Sequence, residues 1–233
     1  MLPTSLLTAH RRRQSEPGSQ SAEAYARLRE KIITLELPPA SPLDEAALMD
    51  ELGFGRTPLR EAIQRLALDN LVVIYPRRGT FVADLNPDDL QKIFELRLEL
   101  EPYCARLAAE RATPAQMAAM ANLFADSEAV IRAGDYRQLI KLDQRAHALL
   151  AQAAHNEFLE EILERLYNHV LRLWYVSLHK VSRLREAIEE HRDIIAAVEA
   201  RDGDRAAQIM RAHVAGFQSE FLSANRIESG KYK

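Results

Sequence analysis

Apolar residues recur near the start of the chain at the three- and four-residue intervals of an amphipathic helix, at Tyr25, Leu28, Ile32 and Leu35. Pro38-Pro39 ends this predicted helix because proline donates no backbone hydrogen bond. A second short helix is predicted from about 44 to 52, and Gly53-Phe54-Gly55 breaks it. A third begins at Thr57-Pro58, with the threonine as N-cap and the proline as first helical residue, and runs to about Asp69.

Two short apolar runs with β-branched residues, 71–74 and 80–82, follow the third helix. They flank Tyr75-Pro76-Arg77-Arg78-Gly79, so the pattern predicts a β hairpin with a basic tip. Two short helices joined by a glycine-containing turn are typical of a helix-turn-helix, and the hairpin then takes the place of its wing. The first 85 residues therefore predict a winged helix-turn-helix.

From Pro87 onward the pattern is helical, and no strand is predicted. Caps, prolines and a glycine mark the boundaries: Asn86-Pro87 and Thr113-Pro114 begin helices, Gly134 ends the second of them, and Asp135, Asn156, Ser182 and Asp204 mark later starts. Pro102 either kinks or splits the first helix. Six or seven helices with short connections predict an antiparallel bundle, so the fold class is mainly α.

The length and composition are compatible with two domains, since 233 residues with 47% hydrophobic content can form two modest cores. We expect a disordered N-terminal arm, a winged helix-turn-helix domain, an all-helical domain for ligand, metal and dimer contacts, and a C-terminal tail, at residues 1–20, 21–85, 86–226 and 227–233. The single Cys104 excludes an internal disulfide. Together with the lack of an apolar run of ~18 residues, it indicates a cytoplasmic protein with no membrane partner.

The net charge of −3 does not indicate nucleic-acid binding, so any DNA site must be a local basic patch. Arg56 and Arg60 are four residues apart at the start of the third helix, the part of a recognition helix that meets base edges. Arginine can hold guanine by two hydrogen bonds, and Thr57 can donate to a phosphate. Arg77 and Arg78 at the hairpin tip would add phosphate or minor-groove contacts. A solvated arginine pair is the alternative, which the turn and the basic wing disfavour.

Four residues of the helical region have the spacing of a metal site. Asp143 and His147 are four apart and share a helix face. His191 and His213 lie on either side of residues 202–204, which are interpreted as a helix stop and a new start. The two histidines therefore fall on adjacent antiparallel helices, at heights of roughly 18 and 15 Å above this turn. Nitrogen and oxygen ligands without a thiolate suit a divalent ion, with zinc as the first expectation and nickel, manganese or iron as alternatives.

Other interpretations of these histidines stay open. Each is more commonly a half-buried residue bonded to a neighbour, which is the interpretation for the remaining four, His10, His155, His169 and His179. A metal with open positions can activate water, so a metal-dependent enzyme acting on small carboxylates is a rival, with Glu101 or Asp193 as weakly nominated bases. A metal that only stabilises the bundle is a third possibility.

The residues just described carry a family resemblance over roughly residues 21–226. Residues 54–63, Leu66 and residues 69–79 resemble the winged helix of GntR-family transcription regulators, whose pattern is Val-Ser-Arg-Thr-Pro-Val-Arg-Glu-Ala-Leu. The second half resembles the all-helical FCD effector domain of the FadR-like branch, at Glu95-Leu96-Arg97, Leu100-Glu101-Pro102, Asp143, His147, His191 and residues 203–213. Gly55 replaces the usual serine, and Ala46 replaces an arginine of many FadR-like members, so we expect a different operator preference.

The resemblance implies roles for individual residues. Arg56, Thr57 and Arg60 would contact DNA, and Gly79 would turn the wing. The metal ligands would be Asp143, His147, His191 and His213. Arg97 would face the same cavity and bind an effector carboxylate, with a structural salt bridge to Glu101 as the alternative. We expect a homodimeric repressor, not an enzyme, that binds a near-palindromic double-stranded operator and responds to a small carboxylated metabolite.

Overall fold

A computed structural model of the protein describes residues 18–176 and 183–229. The chain divides into two compact units between Asp84 and Leu85. Most of the expected disordered arm, residues 1–20, and the expected cap at Ser182 lie outside the described residues.

The first unit contains three helices and a hairpin: α1 (Gln20–Ile33), α2 (Glu45–Leu52), α3 (Arg56–Leu68), β1 (Val72–Tyr75) and β2 (Gly79–Val82). The side chains of Ser19 and Asp44 accept backbone N–H bonds at the starts of α1 and α2. Gly53 ends α2 in the left-handed conformation, at φ 72°, which glycine adopts without a steric penalty. The predicted helix-turn-helix with a hairpin is confirmed.

The core of this unit forms where the amphipathic helices face the hairpin. Its fully buried members come from helices and strand alike and include Leu28, Ile32, Leu59, Leu66, Leu71 and Val82. The two strands pair antiparallel, with Val72 opposite Val82 and Tyr75 opposite Gly79. This register leaves the residues between the strands at an exposed turn.

The start of α3 corrects one expectation. The helix begins at Arg56, and Gly55 is its N-cap without any side-chain cap bond, so Thr57 lies inside the first turn and caps nothing. Gly55 has extended backbone, at φ −69° and ψ 166°, which is the usual conformation of an N-cap residue. The chain therefore turns into the helix two residues before the threonine that sequence had favoured.

The second unit is made of seven helices within the described residues: α4 (Pro87–Arg111), α5 (Pro114–Asn122), α6 (Ser127–Ala133), α7 (Tyr136–Ala153), α8 (Glu157–Val176), α9 (Leu184–Glu199) and α10 (Gly203–Ser229). Pro102 lies inside α4 and does not split it. α10 continues three residues past the expected domain end at 226, because no glycine or proline interrupts the sequence between Gly216 and Gly230. None of the described helices is long and apolar enough to cross a membrane.

Local caps define most boundaries of the second unit. Asn86 accepts from the backbone N–H of Asp88, Thr113 forms a capping box with Gln116, and Asp135 accepts from the N–H of Gln138. The single helix expected from Thr113 to Gly134 is wrong, since residues 123–126 separate α5 from α6. In that turn the Ser127 hydroxyl donates to the carbonyl of Phe124 at 2.7 Å, a local bond that competes with helix continuation.

The connection between α9 and α10 also differs from the expectation. Gly203 is not a stop after a helix but the first residue of α10, and Asp202, not Asp204, accepts the capping bond from the N–H of Arg205. The left-handed residue is Arg201, at φ 60°, whose guanidinium donates to two carbonyls at the end of α4. A Cβ on Gly203 would lie 3.0 Å from Cγ of Arg106, so the glycine permits close packing of α10 on α4.

Candidate metal centre and nucleic-acid interface

The helical unit brings the four expected metal ligands together. Asp143 and His147 project from α7, His191 from α9 and His213 from α10, and one potential ligand atom from each lies within 4.8 Å of all the others. The imidazole centroids of His191 and His213 are 4.4 Å apart, and that of His147 lies 4.9 Å and 5.4 Å from them. His191 is fully buried and Asp143 is 2% exposed, so bulk water does not compete for these atoms.

Outer partners fix the orientation of the three imidazoles. Nδ1 of His191 lies 2.7 Å from the backbone carbonyl of Ala187, and Nδ1 of His213 lies 2.8 Å from Oε2 of Glu190. Nδ1 of His147 lies 2.9 Å from Oε2 of Glu101. All three neighbours are acceptors, so they favour the tautomer with the proton on Nδ1, which leaves the lone pair on Nε2. This is the tautomer that presents Nε2 to a cation.

Three further buried atoms of the site form no hydrogen bond, although Oδ1 of Asp143 lies 3.5 Å from Nδ1 of His191. Nε2 of His147, Nε2 of His191 and Oδ1 of Asp143 are buried and form no hydrogen bond. The other carboxylate oxygen of Asp143 accepts from the hydroxyl of Tyr167. Buried polar atoms without partners are costly, and a shared cation would satisfy all three at once. The donor set of one carboxylate oxygen and imidazole nitrogens therefore fits a divalent transition metal.

Burial and charge set the protonation of the site. Burial lowers the pKa of His191 to about 3, and the nearby His213 adds to the shift. Burial opposes the charge of Asp143, but the surrounding histidines outweigh it and hold the pKa of this carboxyl below its ordinary value. Burial and Asp143 raise the pKa of Tyr167. At neutral pH the site thus holds a carboxylate and a neutral His191, the forms that bind a cation.

Arg97 lies in the same region and is 2% exposed. Its Nε donates to Oε1 of Glu101, so the salt bridge expected as the alternative is present. Its Nη1 is nevertheless buried without a hydrogen-bond partner, and its guanidinium carbon lies 5.7 Å from the ring centroid of Tyr167. Arg97 therefore has a free, desolvated donor close to the residue that holds Asp143.

Glu101 links Arg97 to His147. Burial opposes its charge, but Arg97 and His147 outweigh that cost and hold the pKa of this carboxyl far below its ordinary value. A carboxylate with two cationic or donor neighbours is a poor general base. The other residue nominated as a base, Asp193, is exposed on α9.

Two residues around the site, Tyr167 and Glu190, were not predicted as part of it, and Glu101 was named only as a weakly nominated base and as the alternative salt-bridge partner of Arg97. Only Glu101 had a sequence signal, its spacing of four residues from Arg97. Tyr167 and Glu190 meet their partners across helices, so no local pattern marks them.

The residues expected to contact DNA lie in the first unit. Arg56, Thr57 and Arg60 are exposed on the first two turns of α3, and the side chain of Arg60 is 61% exposed and lies 3.0 Å from Oε2 of Glu45. The hairpin turn carries Arg77, Arg78 and Gly79, all exposed. Gly79 has φ 101° and Arg77 has φ 63°, so the tight turn requires the left-handed region at both positions.

Comparisons with known proteins agree with both units. Residues 20–82 match the gntR family of bacterial regulatory proteins, and residues 92–216 match the FCD domain. The HTH-type transcriptional repressor RspR of Escherichia coli K12 is 29% identical over 200 residues, covering 86% of this chain and 87% of RspR. The HTH-type transcriptional repressor GlaR of the same strain is 28% identical over 202 residues, covering 83% of this chain and 92% of GlaR.

Solved structures show the same fold. The structure of E. coli McbR/YncC has a TM-score of 0.79 at 23% identity and covers 89% of this chain and 99% of that one. The structure of a GntR transcriptional regulator from Rhodococcus sp. RHA1 has a TM-score of 0.71 at 21% identity, and the match covers 88% of this chain and 98% of that one. The sequence relatives named above are transcription regulators and not enzymes. The chain therefore belongs to the gntR family of bacterial regulatory proteins, as a FadR-like member with an FCD domain, and it is a DNA-binding transcription regulator.

Proposed function

We propose that this regulator is a homodimeric repressor released from its operator by a small carboxylate that binds a metal ion and Arg97 in the helical unit. One observation carries the proposal: three orphaned ligand atoms, on Asp143, His147 and His191, share a buried region with the unpartnered Nη1 of Arg97. Repression is supported by two similar proteins, RspR and GlaR, which are named transcriptional repressors.

The metal would be held by Asp143, His147, His191 and His213, and zinc is our first choice among the divalent ions. When bound, the ion supplies a Lewis-acidic position for an oxygen ligand. The chain's own residues prepare that position, because Ala187, Glu190 and Glu101 orient the rings and Tyr167 fixes the carboxylate.

The effector class follows from charge and burial. Arg97 is a fully buried cation whose Nε is held by Glu101 while Nη1 has no partner. A planar carboxylate can accept from that N–H and bind the ion with an oxygen, so both unsatisfied functions are met by one small anion. Apolar or cationic molecules would leave Nη1 unsatisfied at a cost.

DNA recognition is assigned to the first unit. Arg56 and Arg60 on α3 would contact base edges, and Thr57 would contact a phosphate. Arg77 and Arg78, in the turn that Gly79 makes possible, would contact phosphates or the minor groove. A dimer places two such units on one operator, so the two half-sites form a near-palindrome.

Ligand control is assigned to a population shift. The effector favours a spacing of the two recognition helices that fits the operator less well, and the operator reciprocally disfavours the effector. Helix α4 is the element that can transmit this shift, because it starts at Pro87, next to the unit boundary, and carries both Arg97 and Glu101. Typical couplings of about 1–3 kcal/mol correspond to roughly 5- to 150-fold weaker operator binding.

The experiment uses an operator selected from genomic fragments and a panel of small carboxylates. We expect one or more carboxylates to weaken operator binding by zinc-loaded protein, and Arg97→Lys to abolish that response while operator affinity without ligand is kept. Arg211→Lys is the matched control, since Arg211 pairs with Glu99 at the surface. An unchanged response in Arg97→Lys would refute the role of Arg97.

A second arm separates an effector platform from a purely structural metal. Thermal unfolding is followed after chelation, after zinc is restored, and after zinc plus carboxylates are added. Stabilisation by zinc with no further effect of any carboxylate would favour the structural metal. Hydrolysis or other turnover of the carboxylates, lost in His191→Ala, would favour an enzyme and contradict the proposal.

A further inference from the structure

A short series of contacts begins at Arg183, just before α9, and ends at the imidazole of His213, and of its members His213 alone is a candidate ligand. Arg183, the residue before α9, donates from Nη2 to Oε1 of Glu190. The other oxygen of Glu190, Oε2, lies 2.8 Å from Nδ1 of His213. One carboxylate therefore joins a guanidinium to a metal-site imidazole.

The guanidinium has its place because residue 216 lacks a side chain. A Cβ on Gly216 would lie 2.6 Å from Nη1 of Arg183 and closer still to Cζ and Nη2. Gly216 is three residues after His213, so both lie on the same side of α10. Nothing in the backbone demands glycine here, since residue 216 lies inside a continuous helix where alanine is intrinsically favoured.

Partial burial strengthens the electrostatic attraction between Arg183 and Glu190. The side chain of Arg183 is 20% exposed and that of Glu190 is 27% exposed, so the ion pair is shielded from most of the solvent. The carboxylate is thus held in one orientation by partners on both sides, as ligand-orienting groups in metal sites are.

We infer that Gly216, Arg183 and Glu190 are positioning residues that fix the tautomer and ring orientation of His213. The glycine leaves room for the guanidinium, the guanidinium holds the carboxylate, and the carboxylate accepts a hydrogen bond from Nδ1–H, so that the lone pair of Nε2 is left for the ion. The inference rests on the proposed metal site. It assigns a role in metal affinity to a glycine and an arginine that touch no ligand position.

The first experiment is a double-mutant cycle on zinc affinity, measured by competition with a chromophoric chelator. Gly216→Ala adds one methyl group where only the far end of a flexible side chain must move, so the fold is kept and the guanidinium is displaced. We expect zinc affinity to fall about tenfold, as for other outer-shell changes. Arg183→Ala should weaken binding similarly, and adding Gly216→Ala to it should change affinity by less than about twofold.

The control is Ser219→Ala, an exposed position on the same helix, which should leave zinc affinity unchanged. If Gly216→Ala lowers zinc affinity equally with and without Arg183, the inference is wrong, because the methyl group would then act other than through the guanidinium. Wild-type affinity in both single variants would also overturn the inference.

The second experiment needs no metal. Long-range ¹H–¹⁵N spectra of chelator-treated protein report the histidine tautomers, and we expect His213 to be protonated on Nδ1 in the wild type and mixed in Gly216→Ala. If the wild type binds no zinc, but the His213 tautomer still differs between the wild type and Gly216→Ala, the metal proposal fails and the positioning role stands. If zinc binds tightly while neither tautomer nor affinity responds to Gly216→Ala, the positioning role is wrong.

Discussion

Arg60 makes an ion pair that must open before the side chain can reach a base. Its Nε lies 3.0 Å from Oε2 of Glu45, with the arginine side chain 61% exposed. An exposed pair of this kind contributes about 0–1 kcal/mol, whereas a bidentate arginine–guanine contact provides about 1–3 kcal/mol of discrimination. The ion pair is therefore the weaker interaction and does not prevent base contact.

Arg60→Ala should lower the affinity for the operator by about 1–3 kcal/mol and leave affinity for random DNA nearly unchanged. Arg78→Ala at the hairpin turn should weaken both DNAs evenly and reduce the salt dependence of binding. Glu45→Gln should tighten operator binding slightly, because it removes the competing carboxylate. Fluorescence anisotropy on both DNAs at several salt concentrations measures these effects, and an equal loss on both DNAs for Arg60→Ala would contradict base contact.

His191 gives the metal-free protein a defined pH dependence. Burial lowers its folded pKa to about 3, below the unfolded value of about 6.5. Below pH 6.5 the unfolded chain binds a proton that the folded chain does not, so the stability from His191 is complete above pH 6.5 and is lost as the pH falls toward 3. The free energy of unfolding should decrease by about 2 kcal/mol between pH 7 and pH 5 from this group.

Urea unfolding of chelator-treated protein at both pH values tests this dependence. His191→Gln should remove the corresponding part of the decrease, and His155→Gln, at an exposed position, should not. The same slope in wild type and His191→Gln would show that this imidazole is not buried in the neutral form.

At the scale of helices and strands, helix starts are the features that local sequence predicts best. A cap is a contact between residues two or three apart, so a short sequence pattern is enough to indicate it. Asn86, Thr113 and Asp135 were predicted from such patterns and each accepts a backbone N–H. Thr57 and Gly203 were misassigned for a physical reason. A Thr-Pro pair fits the inside of a first turn as well as its start, and a glycine required for packing against another helix has the same appearance in sequence as a glycine that ends one.

Thr113 and Thr57 therefore make a matched pair of variants. Thr113→Ala should cost about 1 kcal/mol of stability, because it removes the hydroxyl that accepts from the backbone N–H of Gln116 at the start of α5. Thr57→Ala should change stability by less than about 0.5 kcal/mol, since α3 has no side-chain cap, while weakening DNA binding. Chemical denaturation of the two variants makes the comparison, and an equal cost would mean that Thr57 caps α3 in solution.

The candidate ligands could be predicted from the sequence, but the residues that orient them could not. Spacing of four residues places Asp143 and His147 on one face, and similar distances from the 202–204 turn bring His191 and His213 level. Their partners Tyr167 and Glu190 depend on how α8, α9 and α10 cross α7, which side-chain packing decides and periodicity does not encode.

At the scale of the whole molecule, two units with separate cores share one chain, and the candidate metal site lies in the second. The chain's single tryptophan, Trp174, belongs to that unit, where it is 3% exposed with its ring 4.4 Å from the ring of Phe217. Its fluorescence consequently reports unfolding of the helical unit alone. The hairpin and α3 can be followed separately by hydrogen exchange of residues 56–82.

Metal binding should therefore stabilise the two units unequally. Zinc at 100 times its Kd adds about 2.7 kcal/mol to the folded form that binds it. Chelation should lower the midpoint of the Trp174 transition and speed amide exchange in α7, α9 and α10, while exchange in residues 56–82 stays unchanged. His213→Ala should reproduce the chelated state in the presence of zinc. If chelation accelerated exchange equally in both units, the ion's stabilisation would extend through the unit boundary, and the two cores would have to unfold as one.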